Sequence, residues 1–425
     1  MHEPDPRLVD APWRTAAPTL RLLDALEAGG RPVRFVGGCV RDTLLGRARP
    51  GLDLDLATPE PPERVMTLLG EAGLKAIPTG LQHGTVTAVV DHQPFEITTL
   101  RRDVETFGRH ARVAFTDDFT VDAARRDFTF NAMSADRAGR LFDPFGGEAD
   151  LLAGWVRFVG DPTTRIHEDY LRVLRFFRFY ASFGREAPDR ATLVALREGI
   201  GGMDRLSGER LQHELWKLLA ADDPRAAVAL MEGIGLLSWL FGVPVDRAPL
   251  DRLVAVEPRP DPLRRLAALL RGTAAPAATL EQLVRRLKPS RADAERLARL
   301  VDVPAVDLAD VDDGELRRWL YRRGIDATLA ATLFAAPAPV PGFAERLEAL
   351  GVPRFPLQGR DVVVRGVPRG PEVGRRLAEV EAWWLEGGCV AGRDACLGEL
   401  ERRLETSARS PDRPAETGSS DPSSA

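Results

Sequence analysis

Two short segments near the N-terminus carry residue types and a spacing that suit phosphate chemistry. In FVGGCVRDTLLG (Phe35–Gly46) a β-favouring run ends at Gly37-Gly38 and continues into a helix-compatible stretch bearing Arg41. Glycines let a backbone approach a ligand closely, a helix N-terminus offers free N–H groups, and Arg41 adds a charge-assisted contact, so the segment reads as a phosphate cradle. In LDLDLAT (Leu52–Thr58), Asp53 and Asp55 stand two apart on a predicted strand, and the period of that strand puts both carboxylates on one face. Adjacent carboxylates repel unless a positive charge lies between them, and a hard divalent cation with oxygen ligands fills that role. Either segment alone also fits a plainer reading: a tight turn with a solvated arginine, or a strand with its acids in water and Leu52, Leu54 and Leu56 inward. Together they meet what nucleotidyl transfer from a nucleoside triphosphate requires, with magnesium bridging the triphosphate and a second ion activating the attacking hydroxyl. Glu96, on the neighbouring run Phe95–Thr99, is the candidate third carboxylate; otherwise it is a surface strand glutamate.

The elements that must position these residues alternate over the first 160 positions. Val33–Val36, Leu52–Ala57, Thr85–Val90 and Phe95–Thr99 read as strands, and Pro61–Ala72 reads as a helix with prolines at its start. Arg101–Asp118 is polar, contains Gly108 and lacks a period, which predicts a mobile loop. From about Thr163 onward the apolar period is helical, in Asp169–Phe183, Gly208–Ala220, Pro262–Leu270, Leu280–Leu287, Arg291–Val301 and Gly314–Tyr321. Ser407–Ala425 has almost no apolar content, and the expectation there is disorder. The fold class is an α/β head followed by an all-helical region.

Composition narrows the classes. With 425 residues, 44% hydrophobic and 28% charged, the chain is of ordinary globular make-up, and collagen-like, wholly disordered and disulfide-scaffold proteins are excluded. It has no apolar run of about 18 residues, so no membrane partner is expected. The N-terminal MHEPDPRLVDAPW lacks the basic and apolar regions of a signal peptide, and Cys39, Cys389 and Cys396 fit neither a paired framework nor a zinc spacing, so the expected location is cytoplasmic. A net charge of −5 argues against a nonspecific nucleic-acid coat while leaving room for a local basic cleft.

A basic feature of that kind lies in EDYLRVLRFFRF (Glu168–Phe179). Asp169, Arg172, Arg175 and Arg178 recur every three residues, a slowly winding stripe on a helix, while Leu171, Leu174 and Phe177 mark an apolar side. A solvated charged face is the plain reading. Three arginines around one acid also make a bed for a triphosphate and a base.

These segments, in order with RRDFTFNA (Arg125–Ala132), DPFGGEADL (Asp143–Leu151) and RLSGERLQHEL (Arg205–Leu215), resemble the class II CCA-adding enzyme and bacterial poly(A) polymerase family over Phe35–Leu215. The resemblance implies a mixed five-stranded nucleotidyltransferase head at 1–150, a helical neck that reads the nucleotide at 151–220, a helical tRNA-binding body at 221–350, a helical tail at 351–406 and a disordered end at 407–425. It implies that Gly37, Gly38 and Arg41 contact the phosphates, that Asp53 and Asp55 bind Mg2+, and that Arg126 contacts the nucleotide with Asp127 and Asn131 shaping the ribose pocket. Asp143 with Gly146-Gly147 is expected to form a turn. Asp169 and Arg172 would read the base, with Arg175 and Arg178 beside them. The partners implied are tRNA, ATP and CTP; no feature points to a protein partner. The basic residues Arg365, Arg369, Arg375 and Arg376 of the last helical segment are either a tRNA backbone contact or a solvated face. The activity implied is Mg-dependent addition of C, C and A to the tRNA 3′ end. The alternatives are a poly(A) polymerase, a CC-only or A-only member, and a catalytically silent RNA-binding protein, which the intact Asp53 and Asp55 disfavour.

Overall fold

The computed structural model describes residues 3–49, 51–81, 84–107 and 110–409, and only the backbone of 103–107, 110–113 and 407–409. The chain divides into two compact units, one of Met1–Val254 with Arg259–Val301 and one of Ala255–Pro258 with Asp302–Ala425.

The first unit begins with a seven-stranded mixed sheet. Its strands are β1 (Arg34–Val36), β2 (Leu54–Thr58), β3 (Lys75–Gly80), β4 (Thr85–Val90), β5 (Gln93–Thr99), β8 (Ser134–Asp136) and β9 (Leu141–Phe142), in the order β3-β4-β5-β2-β1-β8-β9. All neighbours pair antiparallel except β2 and β5, which run parallel with Asp55 opposite Glu96. Alternation builds the core face: Val86, Ala88 and Val90 of β4 and Phe95 and Ile97 of β5 are buried beside Leu54 and Leu56. The helices Ala17–Glu27 and Pro62–Glu71 pack on each other and on β4.

Two expectations change here. The sheet has seven strands where the family resemblance implied five; β8 and β9 span three and two residues, too short to carry a period. The segment expected to be a mobile loop forms a two-stranded ladder, β6 (Arg101–Phe107) with β7 (His110–Phe115). In β7, Ala111, Val113 and Phe115 stand at alternate positions, a strand period that the polar run of β6 obscures. Gly108 lies outside the described residues.

Downstream, the helix Leu171–Phe183 is riveted to the head by aromatic rings. Phe128 lies tilted against Phe158 at 4.7 Å and edge-on to Phe179 at 5.3 Å, and Phe130 meets Phe183 edge-on at 4.8 Å. Each such pair adds about 0.5–1.5 kcal/mol beyond its buried area, which fixes the arginine-bearing side of this helix against the head. The helix Gly208–Leu219 packs alongside it.

The second unit is helical. Trp384 is buried with Tyr321 and Phe355 edge-on to it and donates its indole N–H to the Ala391 carbonyl at 3.0 Å. Arg365 pairs with Glu401, and Arg375 and Arg376 with Glu372 on their own helix, Pro371–Glu386. The last helix, Arg393–Arg409, runs three residues into the stretch expected to be disordered; residues 410–425 of that stretch lie outside the described residues.

Candidate active site

Gly37 sits where β1 hands the chain to the helix Gly38–Leu44. Its φ of 73° is in the left-handed region, which a side chain would strain, and a Cβ there would lie 3.5 Å from the Arg126 guanidinium. Cys39, in the first turn, is fully buried and donates to the Val36 carbonyl, and burial, reinforced by Asp55, pushes its thiol up to about 12. Asp143 caps the helix Gly147–Ala153 through the N–H groups of Gly147 (2.7 Å) and Glu148 (2.9 Å), so this motif is the expected turn. A Cβ on Gly147 would lie 2.2 Å from the Thr129 carbonyl oxygen.

A cavity of about 410 Å³ opens between the head and the helix Leu171–Phe183. Gly37, Gly38, Arg41, Asp55, Arg126, Asp127, Asn131, Asp169, Arg172, Arg175 and Arg178 all line it. Asp53 and Glu96 do not; both are exposed, and Asp53 immediately precedes β2 rather than lying on it. Glu96 stands beside Asp55 in the parallel register. The lining carries seven arginines against three carboxylates, a balance that favours a polyanion.

The acidic corner is only partly compensated, by Arg126. Burial first, then Glu96 and Asp53, push the Asp55 carboxyl up to about 6, with only Arg126 pulling the other way. Oxygen donors crowded this way suit a hard cation. Among the described residues no three His, Cys, Asp or Glu side chains form a ready metal cage.

The basic wall is fully paired. Arg41 Nη1 donates to Asn131 Oδ1 at 2.8 Å, and its Nε to Asp42 at 2.8 Å. Asn131 Nδ2 in turn donates to Asp127 at 2.9 Å, and Arg175 Nε donates to Asp127 at 2.6 Å. Burial alone raises the Asp127 carboxyl, but Arg175, Asn131 and Arg172 together hold it below the usual range. Arg172 reaches Glu168 at 2.5 Å and the Arg165 carbonyl at 2.7 Å. Burial brings Arg178 down to about 10, resisted by Glu214. The Phe179 ring lies among Arg178, Arg41 and Arg175, with guanidinium carbons 4.1, 5.1 and 5.6 Å from its centroid.

The expected helical stripe is corrected at one position. Asp169 lies between the helices Pro162–Glu168 and Leu171–Phe183, with φ −152° and ψ 105°. Its Oδ1 accepts from the Leu171 N–H at 3.1 Å, the bond to the backbone two residues on by which aspartate competes with helix formation. Asp169 and Arg172 still share the cavity, but not a helix face. Sequence reasoning missed Arg210, whose Nη2 donates to Asp169 Oδ2 at 2.7 Å and which lines the cavity with Phe179. Its only signal was a charge four residues before Glu214, indistinguishable from a solvated helix pair.

Comparisons with known proteins agree with this geometry. Residues 33–157 match the family model described as the poly A polymerase head domain, and 187–245 match one described as a probable RNA and SrmB-binding site of polymerase A. The chain is 36% identical over 386 residues to CCA tRNA nucleotidyltransferase 1, mitochondrial, of Danio rerio, covering 87% of each. It is 32% identical to a CCA-adding enzyme of Lactobacillus delbrueckii subsp. bulgaricus, covering 89% of this chain and 96% of the relative. The crystal structure of the Bacillus stearothermophilus CCA-adding enzyme in complex with CTP superimposes with a TM-score of 0.74 at 28% identity, over 92% of this chain and 98% of that one. Among the described residues no helix is long and apolar enough to cross a membrane.

Proposed function

This chain belongs to the family of CCA-adding enzymes, the CCA tRNA nucleotidyltransferases, and we propose that it adds C, C and A to the 3′ end of tRNA from CTP and ATP without a nucleic-acid template. The observation that carries the reading is the arginine-lined cavity with Asp55 in its wall. A triphosphate brings negative charge to the basic wall, and Asp55, only partly offset by Arg126, would share a cation with its phosphates.

Asp53 and Asp55 would hold Mg2+, with Glu96 completing the acidic set. Bound there, magnesium neutralises charge on the phosphates and lowers the pKa of the attacking hydroxyl. The chain's own groups do the positioning. Gly37 lets the backbone approach the phosphates, and Arg41 and Arg126 draw and orient them. Asp127 and Asn131 bound the ribose, and Asp169 and Arg172 meet the base edge. The 3′ oxygen of tRNA forms a bond to the α-phosphorus as the bridging bond to the β-phosphate breaks, and pyrophosphate leaves. The arginines face the charge that accumulates on the departing oxygens.

The tasks divide along the chain as head (1–150), nucleotide-reading neck (151–220), tRNA-binding body (221–350) and tail (351–406). The proposed location is the cytoplasm, a reducing compartment that suits three free, buried cysteines; the mitochondrial name of the zebrafish relative makes cell fractionation the check. A second reading, poly(A) synthesis, draws on the name of the matching head-domain model. One assay separates them: tRNA lacking its last three nucleotides is incubated with magnesium and each labelled triphosphate. Arrest after C, C and A is expected; a growing A ladder would establish the polymerase, and absence of incorporation a silent RNA binder.

A further inference from the structure

Behind the arginines of the site lies a buried acid to which the catalytic reading gives no task. The helix Gly208–Leu219 places Arg210 and Glu214 four residues apart, on one face, along the helix Leu171–Phe183. Glu214 is 4% exposed and is not among the residues that line the cavity. Its Oε2 lies 3.1 Å from Arg178 Nη1, and its Oε1 lies 3.5 Å from Arg175 Nη1.

The pairing is asymmetric. Arg175 has a second carboxylate, Asp127, whereas among the described residues Glu214 is the carboxylate within ion-pair distance of Arg178. Without it, Arg178 would face Arg175 and Arg41 around the Phe179 ring with no carboxylate in ion-pair distance among the described residues. The bonding is also incomplete: Oε2 is buried yet makes no bond of hydrogen-bond geometry. Buried carboxylate oxygens are rarely left so, and contacts of this kind commonly tighten when the ligand arrives.

We propose that Glu214 is a positioning residue that sets the direction from which Arg178, and secondarily Arg175, reach the bound nucleotide. The inference rests on the reading of the cavity as the triphosphate site. The role acts through the arginines, because Glu214 itself is covered.

The test compares Glu214→Gln, which keeps shape and removes charge, with Glu214→Asp, which keeps charge and retracts it. With Glu214→Gln the KM for CTP and for ATP should rise together by about ten-fold while kcat changes by less than about three-fold, the pattern of lost uniform binding. Glu214→Asp should give a smaller rise in the same pattern. Adding Arg178→Gln to Glu214→Gln should raise KM little further, because both changes remove one interaction. A folded Glu214→Gln chain with unchanged KM, or full additivity in the double variant, overturns the proposal; a lowered melting temperature alone marks a merely structural role and also overturns it. If Glu214→Gln does not fold, Glu214→Asp carries the test, and an unchanged KM there overturns the proposal. CTP binding to each variant, measured calorimetrically without tRNA, keeps the two readings apart. A wild-type chain that binds CTP but extends no tRNA sinks the functional reading, and the Kd ratio between variants still decides the role of Glu214.

Discussion

The two sides of the cavity are built under opposite electrostatic conditions. Around Asp55 like charges gather: Glu96 stands beside it in register, Asp53 is near, and its carboxyl is driven up to about 6. Along the helix Leu171–Phe183 opposite charges are matched, Arg172 with Glu168, Arg175 with Asp127 and Arg178 with Glu214, while Arg210 holds Asp169. The basic side is pre-organised, so a triphosphate exchanges one set of partners for another, and affinity gives way to placement. On the proposed reading, a cation completes the acidic side. The difference matches the two tasks proposed for the site: one side to select and hold, the other to perform the chemistry.

The largest effect should come from breaking the acidic side. Asp53→Ala or Asp55→Ala removes charge neutralisation and nucleophile activation together, so single-turnover incorporation should fall by orders of magnitude, as losing several kcal/mol of transition-state stabilisation implies. Filter binding of tRNA should hardly change, because neither carboxylate belongs to the helical region proposed to grip it. A double variant that still extends tRNA at near wild-type rate would remove the metal site from this corner.

A smaller effect, of a different kind, should follow on the basic side. Cytosine and adenine each offer an amino donor beside a ring-nitrogen acceptor, which a carboxylate and a guanidinium match; uracil and guanine offer a carbonyl beside an N–H. Asp169→Ala should therefore lower CTP and ATP use by about 10- to 100-fold and relax the exclusion of UTP and GTP. Competition assays with all four triphosphates measure both. Unchanged selectivity at measurable activity would mean that the base is read elsewhere.

How much of this was legible in the sequence follows the same division. Gly37, Arg41 and Asp55 could be read because local geometry suffices: a glycine at a positive φ, a charge one turn on, a carboxylate on a short strand. The cavity gathers nearly all the residues named in advance, although they span Gly37 to Arg178. Asp169 was misplaced because the three-residue period of the arginines continues through it, while its own bond to the Leu171 N–H holds it outside the helix, which begins two residues later. Arg210 and Glu214 stayed invisible because their partners are some 40 residues away in sequence, and charge on an amphipathic helix looks solvated until the facing helix is known. The β6–β7 ladder was missed because β6 is a polar run, which hides the alternation of Ala111, Val113 and Phe115 on its partner strand.

The smallest effect tests whether the acidic side is held in a state of repulsion, and it is read in stability rather than rate. The Asp55 carboxyl titrates near 3.8 when unfolded and near 6 when folded, so between those values the folded chain binds more protons than the unfolded one. Stability then falls as pH rises from about 4 to about 6 and stays reduced above that, the reverse of a salt-bridged aspartate. A shift of this size corresponds to about 2 kcal/mol at neutral pH once partial solvent screening is allowed for. Asp55→Asn removes the charge at nearly constant shape. In chelator at pH 7 the variant should melt a few degrees above wild type, although it is inactive, and the gap should close near pH 4. Magnesium should raise the wild-type melting temperature and leave the variant nearly unmoved, because a ligand stabilises only the state that binds it. A variant that melts at or below the wild-type temperature in chelator would show that Asp55 is satisfied without a cation, and the contrast between the two sides of the site would fall with it.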